Sequence, residues 1–288
     1  MWALWAILSA LFLGVYDICK KRSLSENSVV GVLACSVLIS AAMLTPALFT
    51  DVVPHVDVRS HVMIFIKSLL VLSSWLCGYI AMKNLPISIV SPMQASRPMW
   101  TLLGALLIFH ESLNGWQWAG IAVTLGSVFA FSFSVRHKGS DQRGKGYFYI
   151  FLVLAILLGA CCGLYDKHIM RTFDRNAVQV YYTLYQAIMM GVVWGITALR
   201  DKQTLAKFTW RWEIVGISVF LILSDYVYLK ALSDPDSLIA VVSTIRRAGT
   251  IIPFLYGIII LREKQIRAKV LCLTGILLGL VCLLIGTL

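Results

Sequence analysis

The sequence predicts an all-α membrane protein, with ten transmembrane helices in two five-helix inverted repeats. Three observations predict it. Of 288 residues, 59% are hydrophobic and 14% charged, and the mean hydropathy is +0.82, far outside the range of soluble domains. Ten apolar runs recur along the chain, most near the ~20 residues a helix needs to cross ~30 Å of hydrocarbon. A shift of 149 lays "GVYDICKKR" at Gly14 on "GLYDKHIMR" at Gly163, and the same shift pairs Tyr79 with Tyr228, Arg97 with Arg246, Thr101 with Thr250 and Gly126 with Gly275.

In order, the runs cover residues 2–18, 28–49, 62–82, 87–109, 116–135, 147–164, 177–199, 213–232, 237–261 and 270–287. The first has no basic leader and no small-residue cleavage site, so it reads as a retained span. The third places Lys67, Val71, Trp75, Tyr79 and Met82 on one stripe. The fourth sets Gln94, Arg97 and Thr101 on one face, with Pro86, Pro92 and Pro98 weakening its hydrogen bonding. Trp116 and Trp118 open the fifth at the depth of an interfacial aromatic belt, as do Trp210 and Trp212 before the eighth. The seventh aligns Gln179, Tyr182 and Gln186. The eighth carries Asp225 and Tyr228, and the ninth repeats the polar face of the fourth as Ser243, Arg246 and Thr250, with Pro253 following. Tyr16, Asp17, Tyr165 and Asp166 fall at the ends of the first and sixth spans, where capping or interface anchoring is expected.

These runs divide the chain into a first five-helix repeat, 1–135, a basic linker loop, 136–146, and a second repeat, 147–288. Five spans are an odd number, so the second repeat enters the membrane from the opposite side. Inverted repeats place a substrate site near the midplane, at the interface of the halves.

The net charge of +11 is scattered over short loops with no interleaved aromatics, which argues against nucleic acid. The seven cysteines show no C-x-x-C spacing, the five histidines form no H-E-x-x-H, and no metal or other cofactor is implied. Without G-x-S-x-G or paired carboxylates in the spans, an intramembrane enzyme is disfavoured. Loops after the odd-numbered spans carry sixteen Lys and Arg against five after the even ones, counting Lys230 at the end of the eighth run with its loop. The charge rule therefore puts both termini on the outer side of a plasma membrane, a bacterial inner one.

Four basic residues, Lys67, Arg97, Arg246 and Arg247, lie within spans, against one acid, Asp225. At about 2.5–3.5 kcal/mol each, they need partners, water or a ligand. Arg97 and Arg246 occupy equivalent faces and form the expected anion-reading pair. Arg247 points elsewhere and is expected to pair with Asp225 or with backbone carbonyls; Asp225 is otherwise the one embedded acid that could carry a coupling proton.

The helix-ending glutamates in "LLIFHES" and "IIILREK", the following "WAGIAVTLGSV" and the passage "YIAMKNLPISIVSP" resemble the EamA branch of the drug/metabolite transporter superfamily, over nearly the whole chain. The resemblance implies an exporter or exchanger of a small metabolite. Combined with the interior arginines, it predicts a substrate bearing a carboxylate or phosphate, contacted by Arg97, Arg246, Gln94, Thr101, Ser243, Thr250, Lys67, Trp75, Tyr79, Tyr182 and Tyr228. A flippase for a lipid-linked anionic headgroup is the alternative. The expected partners are that solute and the lipid bilayer, and oligomeric state is left open.

Overall fold

Helix starts follow from local chemistry where a polar residue precedes an apolar run. Ser28 accepts a hydrogen bond from the Gly31 N–H at 3.1 Å to open one helix, and Asp57 accepts from the Ser60 N–H at 3.2 Å to open the next. Each satisfies a donor that the first helical turn leaves unpaired.

The computed structural model describes residues 2–49, 57–109, 114–137, 146–169, 173–200, 208–232, 245–263 and 266–286. Its α-helices are α1 (Trp2–Leu24), α2 (Val29–Leu44), α3 (Val58–Asn84), α4 (Ile87–Ala95), α5 (Arg97–Phe109), α6 (Gly115–His137), α7 (Gly146–Ile169), α8 (Arg175–Arg200), α9 (Trp212–Leu232), α10 (Ile251–Ile259) and α11 (Ile266–Ile285). Among the described residues there is no strand, and the fold is an all-α membrane protein. Four helical stretches, Val29–Ala47, Val58–Asn84, Gly146–Asp166 and Ile266–Ile285, are long and apolar enough to cross a membrane by length and composition.

The fourth apolar run is broken. α4 ends at Ala95, Ser96 bonds its N–H to Met93 at 3.2 Å, and α5 begins at Arg97. Proline explains the positions: Pro86 caps α4, while Pro98 lies in the first turn of α5, where a missing N–H costs least. In the ninth run Pro253 likewise lies in the first turn of α10, after a helical turn at 245–248 and a bend at Gly249 and Thr250. Its beginning, 237–244, falls outside the described residues, as do Ser243, Glu111 and most of the linker loop.

Neighbouring helices are held by small and hydroxyl residues, the usual means where lipid removes the hydrophobic drive for association. Between α1 and α9, Ser9 donates to the Ser224 carbonyl at 2.8 Å and Ser224 returns a bond to the Ser9 carbonyl at 3.0 Å. Ser74 donates to Ala155 at 2.9 Å across α3 and α7, and Ser218 to Ser36 at 2.7 Å across α9 and α2. Gly120 of α6 meets Gly279 of α11 so closely that a Cβ on the former would lie 2.8 Å from the latter's carbonyl oxygen.

Gly249 is tighter. A Cβ there would lie 2.8 Å from the Ala10 carbonyl carbon and 3.0 Å from its Cα, and backbone cannot rotate away. Gly249→Ala is therefore expected to cost about 1–3 kcal/mol by overpacking. Thermal unfolding of the detergent-purified protein checks it; an unchanged midpoint would mean that the crossing of α1 is looser than drawn.

Candidate functional site

Asp225 sits on α9 with Ser224 beside it and Tyr228 one turn on. All three face Arg246. Its guanidinium forms an ion pair with the Asp225 carboxylate, donates to the Ser224 hydroxyl at 3.3 Å and stacks 4.3 Å from the centre of the Tyr228 ring. The sequence expectation that Arg247 would take Asp225 is thus corrected. Adjacent helical residues diverge by about 100°, so one of the two meets α9, and it is Arg246.

Arg247 forms no hydrogen bond or ion pair through its guanidinium among the described residues. Arg97 is nearly as free. Its Nη2 reaches the Ala155 carbonyl at 3.5 Å, and its buried Nε has no partner. The guanidinium lies flat on Gly159 of α7, in the space any Cβ there would fill. Arg97 lies within electrostatic reach of Arg246, and Arg247 within reach of both. The Nε of Arg246 is also buried without a partner.

The polar faces expected around the arginines are partly spent on backbone. Thr101 donates to the Arg97 carbonyl at 3.2 Å, and Thr250, 5% exposed, to the Arg247 carbonyl at 2.9 Å. The break at Ser96 interrupts the stripe that was to join Gln94 to Arg97, and Gln94 lies instead against Gly78. Hydroxyls near a helix break satisfy the carbonyls that the break frees.

Lys67 pairs with Asp166 of α7 at 2.7 Å and lies 4.9 Å from the Tyr182 ring centre. Asp17, 8% exposed, pairs with Lys20 at 2.9 Å, and Lys20 rests over the rings of Tyr16 and Tyr79. Asp17 is therefore an ion-pair partner inside the bundle, and Asp166, its side chain 41% exposed, pairs with the buried Lys67. Hydropathy cut α1 at residue 18, whereas the helix runs to Leu24, and so it left Asp17 at a helix end and hid Lys20 among the loop charges. Tyr79, 2% exposed, belongs to the core beneath Lys20.

Among these interior groups, Lys20, Lys67 and Arg246 have acids, and Arg97 and Arg247 do not. A narrow cleft lies between α2, α3, α8 and α9, with Trp75, Tyr182, Gln186 and Asp225 in its wall. Gln186 is 1% exposed and its Nε2 has no partner. The sequence put Gln186 on a polar face with Gln179 and Tyr182, but its isolation depends on neighbours from three other helices. Among the described residues no cluster of His, Cys, Asp and Glu could hold a metal ion.

One end of the bundle is held by polar contacts. Asn27 and Thr209 exchange hydrogen bonds at 2.9 Å, Arg211 reaches Glu26, and Arg22 reaches Glu213. Glu263, between α10 and α11, caps α4: the Ile87 and Ser88 N–H groups donate to its carboxylate at 3.0 and 3.3 Å, and Lys269, 3% exposed, pairs with it at 3.0 Å. A carboxylate at a helix N-terminus complements the exposed N–H groups and the dipole. Glu263→Gln keeps an acceptor but loses the charge that faces Lys269, so we expect a loss of about 1–3 kcal/mol and a larger one for Glu263→Ala. Melting of Glu263→Gln at the wild-type midpoint would show that charge contributes nothing.

Residues 1–133 match the model of the EamA-like transporter family. No curated protein matches in sequence. A solved crystal structure, titled only as that of a protein, superposes with a TM-score of 0.66 at 13% identity, covering 99% of this chain and 97% of that one. At that identity the likeness concerns the fold alone.

Proposed function

We propose that the chain is a secondary transporter, an exporter or exchanger, of a small metabolite bearing a carboxylate or phosphate. It works by alternating access at the interface of two inverted halves, 1–135 and 147–288, joined by the basic loop 136–146. The termini lie on the outer side of a plasma membrane. The observation that carries the reading is the surplus of cation: among the described residues Arg97 and Arg247 form no ion pair, while Arg246 has Asp225. Uncompensated guanidinium inside a membrane is costly, and an anionic solute relieves it. Guanidinium can grip carboxylate or phosphate through two parallel hydrogen bonds.

The helix pairings support two related halves. α1 packs on α9 as α3 packs on α7; α5 meets α7 as α10 meets α1; α3 meets α8 as α9 meets α2. Each pair becomes the other when the halves are exchanged, and α2 with α8 and α6 with α11 are their own counterparts. Two halves related in this way can rock about the shared contacts.

Proteoliposomes preloaded with a mixed metabolite extract test the reading. Small anions should leave unchanged against an empty bath, as followed by mass spectrometry. Efflux of neutral or cationic solutes alone, or chemical conversion of the solute, would overturn it.

A further inference from the structure

We infer that the solute's doorway is the seam between α3 and α5 over α7, where Asp166 stands, and that the matching seam over α1, at Asp17, is a second doorway, shut in this conformer. The inference rests on the transport reading and names the route its solute takes.

A shift of 149 makes the two aspartates equivalents, so each serves as a control for the other. The side chain of Asp166 is 41% exposed and that of Asp17 11%. Lipid does not account for the difference. Leu157, on the exposed face of α7, precedes Asp166 by nine residues, about two and a half turns, so Asp166 points to the opposite side, towards the bundle. A carboxylate exposed there faces water. One turn deeper Gly163 faces Thr101, and the turn beyond it carries the Arg97 guanidinium on Gly159. The route from Asp166 therefore leads to a cation. Lys67, paired with Asp166 at 2.7 Å, offsets the repulsion that an entering anion would meet.

The seam at Asp17 is filled. The register sets Lys20 where α7 has Ile169, and Lys20 pairs with Asp17 at 2.9 Å. A Cβ on Gly14 would lie 2.7 Å from that of Ile252 and 2.9 Å from the Gly249 carbonyl oxygen, whereas on Gly163, its equivalent, it would meet the side chain of Thr101 at 3.7 Å. Beyond Lys20, Arg22 reaches Glu213 and Glu26 reaches Arg211, tying α1 and the turn after it to the start of α9. The register puts Ile64 and Val62 in the places of Glu213 and Arg211, and neither can form an ion pair. The charges that hold the shut side thus have no counterpart on the open one.

Carbodiimide coupling of glycine ethyl ester to the carboxyl groups of the full-length wild-type protein in nanodiscs, read by peptide mass spectrometry, tests this. Asp166 should label at least about tenfold faster than Asp17, which reacts only when its side opens. The double variant Glu26→Gln with Glu213→Gln removes both outer ion pairs and leaves the two aspartates intact. Exposed pairs are weak, so we expect about a fourfold change in the equilibrium. With Asp17 exposed about a tenth of the time, that change raises its labelling about threefold and lowers that of Asp166 by about a fifth. Equal labelling of the two aspartates in the wild-type protein would overturn the inference without recourse to any variant. So would a rise at Asp17 with no fall at Asp166, because the doorways would not then trade places. Efflux from proteoliposomes separates this from the transport reading: aspartates that trade exposure without any efflux would keep the doorways and remove transport, and efflux with equal labelling would do the reverse.

Discussion

Asp225→Asn is expected to cost about 3–5 kcal/mol, the range for removing one partner of a mostly buried ion pair. Arg246 loses its acid and keeps a hydroxyl and an aromatic ring, too little to hold a guanidinium away from water. Replacing both partners by apolar residues, Asp225→Leu with Arg246→Met, should recover most of the loss because no lone charge is left behind. Thermal unfolding of the single and double variants in detergent measures the coupling. A double variant no more stable than Asp225→Asn would mean that the pair is not the unit drawn here. If Asp225→Asn kept counterflow exchange but lost gradient-driven accumulation with its fold intact, a proton-carrying role would take the place of the counter-ion role.

Arg97→Lys and Arg247→Lys should each weaken the true substrate by about ten- to a hundred-fold, while melting changes little. Neither guanidinium has an acid to lose, so the variants give up mainly what a ligand would contact. The figure corresponds to about 1.5–3 kcal/mol for a hydrogen bond to a charged group. Lysine preserves the charge but not the fork that grips two oxygens at once, and rescue by lysine would show that charge alone suffices. Arg97 offers a second route: Gly159→Ala would push its guanidinium off the α7 surface without altering any charge, and should lower affinity in the same direction. Proteoliposome uptake with a substrate identified by efflux gives both numbers. Wild-type affinity in both lysine variants would remove the pair from the site.

Much of the helix layout was legible because lipid admits few backbone solutions. The runs at 116–135 and 147–164 fall within α6 and α7, with ends displaced by a few residues. Hydropathy failed where polar residues continue a helix. α1 carries Lys20, Lys21 and Arg22 in its last turns, and composition alone cannot separate a charged helical turn from a loop. The prolines of the fourth run marked a weakness, but the break at Ser96 is set by how the freed carbonyls find partners.

By itself the sequence determined that this chain is a helical membrane protein, that residues along its two halves match at a single shift, and that arginines unmatched in number by acids lie within its apolar runs. Apolar length, internal register and charge count are properties of the chain read in one dimension. Only the tertiary structure decided which arginine has an acid, that Asp17 and Asp166 are ion-pair partners of lysines, that Glu263 caps α4 from far along the chain, and that the buried Gln186 Nε2 has no acceptor among the described residues. Side-chain partnership depends on angular differences of about 100° between neighbours and on ångström gaps between helices distant in sequence. Residue order constrains neither until the helices pack.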